Sequence, residues 1–177
     1  MNLPNRLTVL RVCMVPVFVV FMLWNGLGSS AKYVAAVIFI LASMTDWLDG
    51  YLARKNNLVT DFGKFMDPLA DKLLVSAALI CLSGTKIPSW VVIIIISREL
   101  FISGFRTLAA DQGIVLAAGW WGKFKTAFQM IMIIVLILNI QNQVFDIIGW
   151  ALIWISLALT IISMIDYVVK NIQVLKN

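Results

Sequence analysis

Apolar runs about as long as a membrane crossing, each closed by a short polar stretch, set the rhythm of this chain. About 20 apolar residues in a helix traverse the hydrocarbon core of a bilayer. Six such runs predict six helices: Leu7 to Gly26, Tyr33 to Ala53, Phe65 to Leu82, Pro88 to Ala110, Lys125 to Ile140 and Val144 to Val169. They consume most of the 177 residues, so the expected fold is all-α: a polytopic membrane protein whose six transmembrane helices form one bundle. Residues 1–177 are then a single membrane domain, with no long linker, low-complexity tract or internal repeat. The first run imitates a signal peptide, but Arg11 interrupts it and no small-residue cleavage site follows, which favours a retained helix.

Composition agrees. The chain is 62% apolar and 13% charged, with mean hydropathy +0.96, against ~45–50% and ~25% in a soluble domain. Histidine is absent, which removes the commonest general base and transition-metal ligand and leaves carboxylates, Lys, Arg and hydroxyls to do any chemistry. Cys13 and Cys81 fall in separate apolar runs and read as small buried hydrophobes, with no disulfide. Of the cations, Lys32 and Lys86 fall on one side of the predicted crossings and the remainder nearer the other. Positive residues collect in cytoplasmic loops, so both termini, and any site among those cations, are expected to face the cytoplasm. The net charge of +5 becomes an inner-face belt suited to anionic headgroups or substrates. Nucleic acid is excluded as a partner, because no polar domain remains to read a groove.

The acids depart from this background. Five of the nine lie between Asp46 and Asp71, four of them in apolar surroundings, where each costs ~2.5–3.5 kcal/mol on insertion scales. Asp46, Asp49, Gly50 and Ala53 share one helical face, and Gly63, Asp67 and Asp71 share a face of the next helix. By helical rise from the interface, Asp46 lies roughly 12 Å deep and Asp71 roughly 10 Å, with Asp49 and Asp67 roughly 7 and 4 Å deep. An antiparallel hairpin therefore pairs Asp46 with Asp71 and Asp49 with Asp67. Four carboxylates in two layers suit hard cations, Mg²⁺ or Mn²⁺ before zinc, and two ions would form the clamp of many phosphoryl displacements. The plainer alternative is interfacial salt bridging to Arg54, Lys55, Lys64 and Lys72.

Written out, the stretch is Asp46-x2-Asp49-Gly50-x2-Ala53-Arg54-x8-Gly63-x3-Asp67-x3-Asp71, and it resembles in full the signature of the CDP-alcohol phosphotransferase family. The likeness extends through Asn2 to Thr8 with Arg11, Asp67-Pro68-Leu69-Ala70-Asp71-Lys72, Ser97-Arg98-Glu99-Leu100 with Arg106, and Gly122-Lys123-Phe124-Lys125-Thr126. Those segments look like the branch that makes phosphatidylglycerophosphate. The resemblance implies CDP-diacylglycerol as donor, sn-glycerol 3-phosphate as acceptor, CMP as the other product, two divalent cations on the four aspartates, and a homodimer. It further implies that Asp71 is the catalytic base and also touches metal. Gly50, Ala53, Arg54 and Gly63 would line the CDP site, completed by Asn5, Thr8 and Arg11; for Asn5 and Thr8, capping of the first helix is an equal alternative.

The acceptor phosphate requires cations beyond those neutralising the acids. Arg98 lies near mid-bilayer, where an unpaired guanidinium is expensive, so it is expected to face the interior. Arg106 lies two turns nearer the cytoplasm, and Lys123 and Lys125 enter the next run from that side; the four are candidates for a phosphate cradle. Against this stand pairing of Arg98 with a carboxylate such as Glu99 and snorkelling of the lysines to headgroups. The last two runs read as generic apolar helix. Rival functions are the same family with inositol phosphate, serine or phosphatidylglycerol as acceptor, a metal-dependent membrane prenyltransferase, and a cation transporter.

Overall fold

A computed structural model of the chain describes residues 3–24, 28, 30–55, 61–114, 116 and 119–175; the side chains of 3, 4, 46–55, 61, 62, 64, 65, 174 and 175 lie outside that description. The described residues form six α-helices: α1 (Leu3–Leu23), α2 (Ser30–Lys55), α3 (Asp61–Leu82), α4 (Ser89–Asp111), α5 (Trp120–Leu138) and α6 (Gln143–Lys170), with a 3-10 turn over Ile172–Leu175. Among them there is no strand, only an isolated bridge between Ser83 and Ile87. Among the described residues three helical stretches are long and apolar enough to cross a membrane, Asn5–Leu23, Trp120–Leu138 and Gln143–Lys170, and Ser30–Thr45 is a shorter apolar helix. The chain is an integral membrane protein built of helices. Helices α3 and α4 are of similar length, 22 and 23 residues, but ionisable side chains interrupt their apolar surface.

Two boundaries differ from the sequence reading for identifiable reasons. Helix α1 starts at Leu3 rather than Leu7, because a proline in the first turn costs no hydrogen bond that the helix would otherwise make. Helix α5 starts at Trp120 rather than Lys125; Lys123 and Lys125 end the apolar run but not the helix, since lysine is a good helix former.

The molecule falls into two compact units. Met1–Leu82 with Leu136–Asn139 form one, and Ser83–Val135 with Ile140–Asn177 the other. In the first, α1 packs on α2 and α3. Its buried face reads Asn5, Thr8, Arg11, Val15 and Phe18, polar in the first half and apolar in the second. Phe18 meets Phe39 of α2 with ring centroids 5.8 Å apart, and Arg11 meets Ala42; rising numbers on α1 face falling numbers on α2, so the pair is antiparallel. Ala31, Ala35 and Ala42, all buried, keep the α2 face small, which is how membrane helices approach closely without a hydrophobic driving force. Lys32 donates to the backbone carbonyl of Asn139 at 3.1 Å, placing a cation on the carbonyl end of α5. Asn139 itself turns the chain at φ 44°, a conformation asparagine tolerates.

In the second unit α4 packs on α6. Trp90 meets Trp154, Arg98 meets Ser163 and Phe105 meets Tyr167, so these two helices run parallel. Helix α4 ends on Gly113 at φ 74°, with Ile114 N–H bonded to the Ala109 carbonyl and Gly113 N–H to that of Ala110. This is the Schellman closure. It folds Ile114 back onto a cluster of Ile102, Phe105, Ala109 and Tyr167. Helix α6 begins on Asn142, whose side chain accepts from Val144 N–H at 2.9 Å.

Candidate active site

The motif acids occupy continuous helix. Asp46, Asp49, Gly50, Ala53 and Arg54 all lie on α2, and Gly63, Asp67 and Asp71 on α3, so the spacings do put each set on one helical face. The side chains of Asp46, Asp49, Ala53 and Arg54 lie outside the described residues, and with them the predicted pairing of the acids across the hairpin. Asp67 and Asp71 are half-buried, one turn apart, and Gly63 is buried one turn earlier. Pro68 sits inside α3 and has no N–H to close the turn beneath it, which leaves one main-chain carbonyl of that turn without its helical partner.

Helix α1 bonds to both acidic helices through its polar half. Thr8, fully buried, donates its hydroxyl to Asp67 Oδ1 at 2.5 Å, a bond to an ionised acceptor worth about 1.5–3 kcal/mol. One turn on, Arg11 is fully buried and donates Nε to the Ala42 carbonyl at 3.2 Å and to Thr45 Oγ1 at 3.4 Å. Thr45 in turn donates to the same carbonyl at 2.6 Å and immediately precedes Asp46. A single turn of α1 thus reaches Asp67 on α3 and the residue before Asp46 on α2. Asn5, one turn earlier, is buried on the same face. The capping alternative for Asn5 and Thr8 does not hold: α1 begins at Leu3, so both lie inside the helix with side chains turned inward.

The described half of the carboxylate set fits a hard divalent cation. Asp67 keeps its second oxygen beyond the Thr8 bond, the donors are oxygens, and the chain has no histidine to recruit a softer metal. Among the described residues no three acidic or thiol groups come together; the α2 pair that would complete the set is outside them.

The second unit gathers cations around one carboxylate. Arg98 is buried, as expected from its depth, and reaches Glu99 through Nη1 at 3.5 Å and Ser163 Oγ through Nη2 at 3.0 Å. Lys125, only 2% exposed, forms an ion pair with the same Glu99. The contact between Arg98 and Glu99 weighed from the sequence is therefore present, and it recruits Lys125 rather than excluding it. Arg106 donates Nε to the Tyr167 hydroxyl at 3.1 Å, with its guanidinium 5.5 Å from the ring centroid. Lys123 is exposed, its ammonium 5.2 Å from the Trp120 ring, and Arg106 is exposed as well, so of the four predicted cations Arg98 and Lys125 are the buried ones. Gly122 packs beside Arg98, where an added Cβ would lie 4.0 Å from Nη2.

Sequence reasoning passed over α6. Its buried face carries Ser156, Thr160, Ser163 and Tyr167. The signal was in the chain: those positions follow i, i+4, i+7 and i+11, one helical face. Glu99 was read as a foil to Arg98 rather than as the centre of an ion triad, since nothing local links it to Lys125.

Comparison with known proteins gives this geometry its context. The family model for CDP-alcohol phosphatidyltransferase matches residues 1–162, which include both acidic helices and most of α6. A Bacillus subtilis (strain 168) protein named CDP-diacylglycerol–glycerol-3-phosphate 3-phosphatidyltransferase is 45% identical over 190 aligned residues, covering 99% of this chain and 97% of its own. That alignment is longer than this chain, so the Bacillus protein has residues with no counterpart here. Proteins of the same name from Haemophilus influenzae (strain ATCC 51907 / DSM 11121 / KW20 / Rd) and Rickettsia typhi (strain ATCC VR-144 / Wilmington) are 41% and 40% identical, each over 94% of this chain and 91% and 94% of their own. With the signature acids on two continuous helices and the match running through nearly the whole chain, this protein belongs to the CDP-alcohol phosphatidyltransferase family.

Proposed function

We propose that this protein transfers a phosphatidyl group from CDP-diacylglycerol to sn-glycerol 3-phosphate, releasing CMP and forming phosphatidylglycerophosphate for phospholipid biosynthesis. The observation that carries the reading is the paired attachment of α1: Thr8 on Asp67, and Arg11 on the α2 backbone just before Asp46. Such attachment supports a shared level for the acids of α2 and α3. The names of the similar bacterial proteins supply the donor and acceptor.

In this reading Asp46, Asp49, Asp67 and Asp71 hold two divalent cations, Mg²⁺ or Mn²⁺. Bound there, the ions neutralise the donor pyrophosphate and make its phosphorus a better electrophile. Thr8 holds Asp67 in its rotamer. Asn5, Thr8 and Arg11 of α1, with Gly50, Ala53, Arg54 and Gly63, form the CDP site, where the small residues admit the nucleotide close to the backbone. Asp71 takes the proton of the acceptor hydroxyl, and the alkoxide attacks phosphorus in line with CMP as leaving group, with no covalent enzyme intermediate. A carboxylate of ordinary basicity does this only in close contact with the hydroxyl.

The acceptor phosphate is held by the buried Arg98 and Lys125 together with Arg106, which is exposed and pinned to Tyr167, and with Lys123 at the exposed rim. Three cations against Glu99 leave two positive charges, which balance a phosphate monoester near neutral pH and disfavour uncharged headgroup alcohols. The membrane domain crosses six times, with both termini and the site on the cytoplasmic face of a bacterial inner membrane, and acts as a homodimer. Lys32 on Asn139 supports that topology, since it brings the start of α2 and the end of α5 to the same end of one unit. A transporter reading gains nothing from the uninterrupted α2 and α3, because transport sites favour broken helices.

The test is to incubate purified protein with CDP-diacylglycerol, Mg²⁺ and, separately, glycerol 3-phosphate, inositol phosphate, serine and phosphatidylglycerol. CMP release with glycerol 3-phosphate alone is the expected result. Release of inorganic pyrophosphate, or turnover with another alcohol only, contradicts it.

A further inference from the structure

Helix α6 buries hydroxyls where its sequence reads as a plain apolar crossing. Thr160 donates back to the Ser156 carbonyl at 2.7 Å, and Ser163 to the Thr160 carbonyl at 3.0 Å. Having spent its hydrogen on the backbone, Ser163 Oγ turns its lone pairs outward, and Arg98 Nη2 donates to them. A cavity of about 290 Å³ between α4 and α6 runs past Arg98 with an apolar wall that includes Ile94, Ile161 and Met164. The arginine therefore shows its aliphatic stem to the cavity, while its guanidinium is drawn to the hydroxyl and to Glu99. One turn further, Tyr167 engages Arg106 twice, by its hydroxyl on Nε and by its ring face. The Tyr167 ring is itself fixed against Phe105, centroids 5.8 Å apart, in the Schellman-closed cluster at the end of α4.

Each arginine has a long, rotamer-rich side chain whose freedom a ligand must otherwise quench. A partner that fixes the guanidinium beforehand removes part of that cost from binding. Tyr167 takes Nε and leaves the described contacts of Arg106 clear of its two terminal nitrogens, the fork that meets two phosphate oxygens. Ser163 and Glu99 likewise fix the plane of Arg98.

We propose that Ser163 and Tyr167 are positioning residues for the acceptor phosphate: they preset Arg98 and Arg106, so α6 governs affinity for a phosphorylated acceptor without touching it. This rests on the acceptor role of the two arginines proposed above.

The test measures initial rates of the full-length protein, varying each substrate at saturating levels of the other, for Ser163→Ala, Ser163→Thr, Tyr167→Phe, Arg106→Met and the double variant Tyr167→Phe/Arg106→Met. Ser163→Ala and Tyr167→Phe are each expected to raise KM for glycerol 3-phosphate roughly 10-fold. Their kcat and KM for CDP-diacylglycerol should stay within about twofold. Ser163→Thr, which keeps the oxygen, should restore wild-type behaviour, and Tyr167→Phe should add nothing once Arg106 is gone, because its effect passes through that side chain. An Arg106→Met protein with unchanged acceptor KM removes the acceptor reading of Arg106 and this proposal with it. If Arg106→Met does raise that KM, then Tyr167→Phe with normal acceptor KM, equal losses for both substrates, or additivity in the double variant overturns the positioning role alone.

Discussion

At the scale of single residues, the oxygen of Thr8 is the most informative group outside the acids. It is fully buried and bonded to a half-buried carboxylate, so deleting it leaves Asp67 short of a donor and free to change rotamer. Thr8→Val keeps the volume and is expected to lower kcat/KM by roughly 10- to 100-fold, the range for a lost hydrogen bond to a charged group, while Thr8→Ser should stay within a few fold. Steady-state assay with both substrates checks this, and a fully active Thr8→Val protein would separate the bond from the chemistry. Arg11 is a different case. Its bonds run to main chain and to Thr45, so it holds α1 against α2, whatever else it contacts. From the sequence it was a charge at the depth of the acids, with no sign that a backbone carbonyl would receive it.

At the scale of elements, the α1–α2 interface depends on small residues. Ala35, Phe39 and Ala42 follow i, i+4, i+7 on α2, all fully buried, and the last two meet Phe18 and Arg11. Ala35→Leu should therefore force the helices apart at a cost of about 1–3 kcal/mol, read as a lower thermal midpoint in detergent, whereas a leucine at exposed Val37 should not. An unchanged midpoint for Ala35→Leu would show that this face is not tightly packed. The element scale is also where the sequence was most legible. Apolar run length located all six helices, and the fourth was matched almost to the residue because Pro88 and Gly113 bracket it. The starts of α1, α3 and α5 moved most, by four, four and five residues; proline tolerance accounts for the first and lysine propensity for the last. Arg98 could be placed inward from the expense of an unpaired guanidinium in lipid. Its partner Ser163 could not, nor could the Lys125 that shares Glu99 with it, since both come from helices distant in sequence, and a hydroxyl in an apolar run gives no local hint of what it will meet. The stripe on α6 had the right spacing, yet a dominant apolar signal hid it.

At the scale of the whole molecule, six crossings with cytoplasmic termini require Lys32, Lys86 and Asn139 to emerge on the outer side. With Cys13 and Cys81 replaced by serine, Lys86→Cys in intact cells should react with a membrane-impermeant maleimide, while Lys170→Cys should react only after permeabilisation. The reverse pattern would invert the topology. Deeper still lies the claim that the α2 and α3 carboxylates act as one donor set. The direct measurement is electron paramagnetic resonance of Mn²⁺ titrated into purified protein with CDP-diacylglycerol. The account predicts two ions per chain, spin-coupled as ions ~3.5–4 Å apart must be. It further predicts that Asp49→Asn or Asp67→Asn abolishes the coupling and lowers transfer by roughly 1,000-fold. Uncoupled Mn²⁺ in the active protein, or coupling that survives those substitutions, would contradict it.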